Sequence, residues 1–506
     1  MSTIFADSFG LMNILFFFKS LDFIRVQRYN KKSDFLLKKG ANRKMGRAKK
    51  EVNMTEGPFL KKIILFVIPL ILTGLLQCFY NAADLAVIGQ FRGELALAAV
   101  GSTGALTNLI VGLFMGLSAG VGVVVAYYMG AMRYKTVSRV VHNSILIAAI
   151  LGVVVTGIGV ALAPMMLQWM DTPAAVLPGA TRYIRIIFCG IPASMMYNYC
   201  AAMLRSTGDT KHPLIFLSIS GVVNVALNLF FVVICGMDVE GVALATILSQ
   251  YLSAVMVLVY MARTDGVLKF SFRKLRLNKL IIKKILAVGI PSGIQSSLFS
   301  LSNVMIQSSI NFYGDVVVAG NAAGGNLEGF VYIAMNAMYH AALTFVGQNV
   351  GAKKYENVKR ITLYCAICAA VIGIAVGGII LLFGEFFVGI YASEPEVITA
   401  GLTRNWAILP FYWMCGVMEA LCGAIRGMGK SMTTMVISLL GACVLRVVWC
   451  KTLAVWFRTI HMVYWCWPVS WTVVIAASIV AFIYFYRQMV QKQRLASIMA
   501  REHAYT

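Results

Sequence analysis

The sequence predicts an all-α polytopic membrane protein, with twelve transmembrane helices in two six-helix lobes related by a pseudo-two-fold axis along the membrane normal. Three observations predict it. Of 506 residues, 59% are hydrophobic and only 13% charged, about half the charge of an ordinary soluble domain. The apolar residues gather into twelve long runs, and a spanning helix needs about 20 such residues. Short motifs of the first half return in the second at a fixed offset. Most soluble enzymes, nucleic-acid binders and secreted scaffolds are excluded on these grounds.

The runs lie near 62–88, 95–128, 138–163, 181–204, 213–235, 241–262, 285–310, 317–350, 361–391, 398–425, 431–456 and 464–486. Residues 1–58 precede them as a basic arm with twelve Lys+Arg. Its apolar stretch Leu11 to Phe18 is too brief to span and no small-residue cleavage site follows, so it is neither a signal peptide nor a thirteenth helix. Met54-Thr-Glu-Gly-Pro58 reads as a natural beginning. Residues 1–53 are therefore expected to be an over-extended reading frame or a disordered arm. The first lobe then occupies 59–262, a basic cytoplasmic linker 263–284, the second lobe 285–490 and a cytoplasmic tail 491–506.

With both tails in the cytoplasm, all but seven of the 44 Lys+Arg fall on the inner side. The exceptions are Arg92, Arg182, Arg185, Arg404, Arg446, Lys451 and Arg458. This is the asymmetry that orients membrane proteins, and it explains the net charge of +24 without a nucleic-acid partner. The eleven cysteines sit almost wholly inside apolar runs, as small buried hydrophobes do.

Gly130-Ala-Met-Arg-Tyr134 returns as Gly351-Ala-Lys-Lys-Tyr355, an offset of 221 (351 − 130). At the same offset Arg205-Ser-Thr-Gly208 meets Arg426-Gly-Met-Gly429, and one position out of register Pro69 meets Pro291 and Asn81 meets Asn303. Six spans per half give both halves one orientation. Duplicated bundles of this kind build a cavity between lobes that opens alternately to each side, which points to a secondary transporter.

Charge within a bilayer is costly, about 2.5–3.5 kcal/mol on insertion scales. Only Asp84, Glu328 and Glu419 lie well inside runs. Asp84 is about 33 Å of helix beyond Lys62, hence towards the outer leaflet. Asn224 and Asn228 share one face of the fifth span, Asn228 about 24 Å along it, and Thr246 is about 9 Å into the sixth. The four reach similar depths and each offers an oxygen. They can hold Na⁺, or let Asp84 alternate between carboxylate and acid; the two Asn equally suit tying helices together. Glu419, whose repeat counterpart is Asn198, is expected to bind a cationic substrate or to pair with a base at the inner mouth. Glu328 faces the cavity or a partner helix, and His340 reads as an interior residue rather than a proton relay.

Other patterns fail. Ala424-Ile-Arg-Gly-Met-Gly-Lys-Ser431 is one residue short of a phosphate-binding loop, follows no strand and has no Lys in its repeat copy. Gly112, Gly116 and Gly120 make a close-packing face. No metal cluster or nucleophilic triad appears, so neither an enzyme nor a cofactor is expected, only a coupling ion.

These stretches, with Tyr80-Asn-Ala-Ala-Asp84, Gly241-Val-Ala-Leu-Ala-Thr246 and Phe345-Val-Gly-Gln-Asn-Val-Gly351, resemble the multidrug and toxic compound extrusion family over about residues 54–490. The resemblance implies a central cleft and export driven by H⁺ or Na⁺, with the first-lobe cation site falling on Asp84, Asn224, Asn228 and Thr246. It also implies a bend of the first helix at Pro69 when the carboxyl is protonated, reasonable where an amide donor is missing. Two departures stand out. Many members carry Asp where this chain has Asn228, and a second-lobe Glu of one branch is here Phe299. A single carboxylate lowers the attraction for Na⁺ and favours H⁺.

The chain is accordingly expected to be a monomeric antiporter of the cell membrane, exporting organic cations or amphipathic drugs bound among Met and aromatic side chains. The alternative is a flippase for lipid-linked sugar precursors, which would need bases in the cleft. Arg446, Arg182 and Arg185 are the candidates, and they lie towards the outer ends.

Overall fold

A computed structural model describes residues 54–170 and 172–505, so the arm over 1–53 lies outside the described residues. Twelve helices are long and apolar enough to cross a membrane. They are α1 Phe59–Ser102, α2 Gly104–Gly130, α3 Tyr134–Trp169, α4 Leu177–Ser206, α5 Lys211–Ile234, α6 Val239–Arg263, α7 Lys279–Asn311, α8 Asp315–Gly351, α9 Tyr355–Leu382, α10 Pro395–Gly427, α11 Ser431–Phe457 and α12 Ile460–Leu495. No strand occurs among the described residues.

The expected boundary between the first two runs is refined rather than moved. Gly93 breaks α1 with a φ of 80° and a ψ of −174°, a conformation open mainly to glycine. The residues beyond it already belong to the second crossing, which bends at Thr103 into α2.

Each lobe has its own core, but the two are interlaced. The first contains Ile88 with residues of α2, α3, α4 and α6, and it takes in Ile281 and Ile285 from the start of α7. The second is built from α8 to α12 and takes in Phe59, Ile63, Phe66, Val67 and Leu70 from the start of α1. Phe66 meets Phe345 of α8 edge to face, with centroids 5.5 Å apart. Each lobe's leading helix thus begins inside the other lobe. For α1 the crossover is short. A Cβ on Gly74 would still strike Ile333 of α8, whereas Tyr80 packs on Gly221 of α5 and donates its hydroxyl to the Ser218 carbonyl at 3.3 Å. Buried Pro69 lies just before this passage, and Thr73 Oγ1 caps its carbonyl at 2.7 Å.

The described chain ends share one face, here called the tail face. The Met54 carbonyl accepts from Asn349 Nδ2 at 3.0 Å and the Thr55 carbonyl from Asn357 Nδ2 at 3.1 Å, while Gln493 Nε2 donates to the Lys353 carbonyl at 3.3 Å. On this face the lobes meet in a crossing of α2 and α8. A Cβ on Gly130 would lie 1.8 Å from the Gln348 carbonyl oxygen, and one on Gly351 would lie 1.9 Å from the Tyr127 carbonyl oxygen. The two contacts are repeat images of each other: adding 221 to 130 and 127 gives 351 and 348. Gln348 Nε2 also donates to the Ser206 carbonyl at 2.7 Å. Further along α2, Gly116 and Gly120 lie against the backbone of α7 at Gly293 and Ile285, so the small-residue stripe serves contact between the lobes.

Candidate cation-coupling site

Three helices of the first lobe position the site. The turn before α5 is fixed by Asp209, which accepts from the His212 backbone N–H at 3.2 Å and from the Tyr260 hydroxyl of α6 at 3.0 Å, and lies 2.6 Å from His212 Nδ1. Burial works against the Asp209 carboxylate, yet His212 and Tyr260 hold it below its ordinary value. At the other end, α5 widens into a π turn over Leu229–Ile234 immediately after Asn228. Such turns collect at functional positions. Arg92 of α1 donates to the Val232 carbonyl within that turn at 2.5 Å, tying α1 and α5 together two turns beyond Asp84.

The structure brings Asp84, Asn224, Asn228 and Thr246 together. Asn228 Nδ2 donates to Asp84 Oδ1 in a short hydrogen bond, and Thr246 Oγ1 donates to Asp84 Oδ2 at 3.3 Å. Asn228 Nδ2 lies 3.5 Å from Asn224 Oδ1. Both Asn are buried, Asn228 completely, and Asn228 Oδ1 has no hydrogen-bond partner among the described residues. As placed, two donors face the carboxylate, the arrangement an ionised Asp84 wants. A half-turn of the Asn228 amide would present the orphaned oxygen instead, which accepts from a protonated Asp84. One side chain can therefore serve both states, and the unpaired oxygen is where the cost of the present state is held.

The other candidates are placed differently. Asn81, one turn before Asp84, is exposed. Asn198 spends its amide on its own helix, at 2.9 Å from the Ser194 carbonyl. Glu328 forms an ion pair with Arg404 of α10, whose Nε also donates to Asn321 at 2.8 Å; of its two expected roles, the helix-facing one is what the structure has. Removing one partner of a buried pair costs about 3–5 kcal/mol, and Arg404 is only 5% exposed. Glu328→Ala is thus expected to lower the melting temperature in detergent markedly while leaving an Asp84-dependent process intact. An unchanged melting temperature would contradict a structural role.

Glu419 makes no ion pair or hydrogen bond among the described residues. Arg426, two turns along the same face of α10, is buried and engages neutral acceptors instead: Tyr339 hydroxyl at 2.6 Å, Gln295 Oε1 at 2.5 Å and Thr434 Oγ1 at 3.2 Å. His340 stacks edge-on against Tyr339 at 5.0 Å. Sequence reasoning placed Arg426 in a turn motif and missed it as the polar hub of the second lobe; its match with Arg205 in the repeat was the available signal. The three bases that a lipid-linked sugar flippase would draw on are engaged locally: Arg182 with Glu240 at 2.6 Å, Arg446 with Ser470 at 2.7 Å, Arg185 with the Val160 carbonyl at 3.3 Å.

Comparison with known proteins places this arrangement in context. The MatE family profile matches residues 69–230 and 291–452, once in each half. A probable multidrug resistance protein of Bacillus subtilis, YpnP, is 27% identical over 410 residues, covering 80% of this chain and 91% of that protein. A probable multidrug resistance protein NorM of Thermotoga maritima is 26% identical over 391 residues, covering 75% and 82%. Among solved structures, an outward-facing multidrug resistance transporter of the MATE family superposes with a TM-score of 0.81 at 21% identity, over 89% of this chain and all of that one.

Proposed function

This chain belongs to the MatE family of multidrug efflux transporters, and on that premise we propose that it is a cation-coupled antiporter expelling organic cations or amphipathic molecules from the cell. The observation that carries the reading is the half-buried Asp84 carboxyl held by the buried Asn228 and by Thr246 on a helix that crosses from one lobe's core to the other's. The tail face lies in the cytoplasm of a cell membrane, in keeping with its basic loops, and a single monomer contains the whole pathway.

The coupling ion is H⁺. One carboxylate among neutral groups offers Na⁺ only a single formal charge, which favours the proton. Proton arrival converts Asp84 from an acceptor of two hydrogen bonds into a donor of one. That change alters what α1 gains by lying against α5 and α6. Since the other end of α1 is rooted in the second lobe, its preference biases how the lobes sit. A ligand shifts such an equilibrium only through differential affinity for the two states, so the reading requires Asp84 to hold its proton more tightly in one lobe arrangement than in the other. Met and aromatic side chains supply an adaptable substrate lining.

A flux assay tests this directly. In inverted vesicles a fluorescent organic cation is expected to accumulate under an imposed pH gradient and not under an imposed Na⁺ gradient. Accumulation under Na⁺ alone would replace the proton, and dependence on neither would remove the antiport reading.

A further inference from the structure

The segment joining the lobes carries a surface that the transport cycle does not use. From residue 266 to 314 the chain has no acidic residue. The segment is clamped to the first lobe at two points: the Ser271 N–H donates to His142 Nε2 at 3.1 Å and the Asn278 N–H to Asn143 Oδ1 at 2.6 Å. Asn278 in turn caps α7 through its side chain, accepting from the N–H groups of Leu280 and Ile281. Phe270 is buried beside His142. Between and beyond these anchors Leu275, Ile281 and Ile282 turn in towards the first lobe's core and the other side chains are presented. Phe272 is 77% exposed, Leu277 56% and Leu280 73%. Arg273, Lys274, Arg276, Lys279 and Lys283 are exposed as well, and none of their side chains makes an ion pair or hydrogen bond among the described residues. Lys284 differs: it is spent on the Tyr128 hydroxyl at 2.6 Å.

We propose that residues 272–283 form a docking surface for the headgroups of anionic phospholipids, with Phe272, Leu277 and Leu280 lodged between the headgroups. Topology alone asks only for positive charge on this face. It does not ask for three large apolar side chains exposed among the cations, Phe272 with its ring edge to face on Phe270 at 4.8 Å, which is the composition of a segment seated in the membrane interface. Position supports the same occupant. The strap runs straight into α7, a membrane-crossing helix, so it lies at the bilayer surface by construction. Its anchoring to α3 presents the cations in fixed places, without the ordering cost a flexible basic tail would incur.

The test uses the full chain reconstituted in phosphatidylcholine vesicles containing a trace of spin-labelled phosphatidylglycerol or spin-labelled phosphatidylcholine. It reads lipid association without any transport, so its outcome is separate from that of the antiport reading. The wild-type protein is expected to prefer the anionic probe by roughly threefold or more. The variant Arg273→Gln/Lys274→Gln/Arg276→Gln/Lys279→Gln is expected to lose most of that preference, and Phe272→Ser/Leu280→Ser part of it. A control removes the same charge elsewhere on the tail face: Arg133→Gln/Lys135→Gln/Lys359→Gln/Arg360→Gln. Equal losses in control and strap variants would reduce the effect to a general field and overturn the proposal. Displacement of the anionic probe by inorganic phosphate, but not by chloride at equal ionic strength, would point to a free-anion site and overturn it as well.

Discussion

Asp84→Asn is expected to abolish ion-driven efflux while leaving the protein folded and inserted. Asparagine has the size of aspartate and can still accept from Thr246, so packing around α1, α5 and α6 is preserved. What disappears is the proton equilibrium. The site then has one state where it had two, and no ion gradient can bias the lobes through it. Couplings between sites commonly amount to about 5–150-fold; a fall of the order of 100-fold in gradient-driven flux is expected, with the size-exclusion profile and melting temperature in detergent nearly unchanged. Flux that survives at the wild-type rate would remove Asp84 from the drive. Asn228→Asp makes a complementary check. A second carboxyl in hydrogen-bond contact with the first raises the attraction for a metal cation, and Na⁺-driven flux is expected to appear where there was none.

Gly130→Ala, and more strongly Gly130→Val, is expected to prise the lobes apart on the tail face. Hydrogen is the only side chain that leaves room here, because a Cβ would fall 1.8 Å from the Gln348 carbonyl oxygen. The obstruction is backbone on both sides, so no rotamer change relieves it. The arrangement with the tail face closed is penalised, and the alternative with that face open is not. Hydrogen–deuterium exchange of the turns 130–134 and 351–355 is expected to accelerate at least about tenfold, and Gly351→Ala should reproduce the change because it fills the mirror-image contact against Tyr127. Exchange unchanged in both variants would show that this crossing is not a gate.

Much of the fold could be read from composition because membrane insertion leaves few choices. Apolar runs long enough to span must become helices, and an internal repeat with an even number of spans fixes the relation between halves. The four polar residues of the first lobe could be gathered from depth alone, since rise per residue converts position into height. Depth does not give the partner. Glu328 and Glu419 were both read as intramembrane acids with two roles open, yet one is neutralised by Arg404 from a neighbouring helix and the other makes no ion pair among the described residues. Arg92 was legible only as one of seven bases away from the inner side, whereas it bonds into the π turn of α5; a π turn has no signature in the run of apolar residues that forms it. The interlacing of cores was equally hidden, because residues 59–70 are as apolar as any other stretch and nothing in them names the lobe they pack against.

That interlacing bears on how the two bundles can part. Neither keeps its core whole without the first turns of the other's leading helix. They are therefore not separable bodies: any tilt of one against the other must pivot on those exchanged turns, which hold the pair together as two mutual tethers.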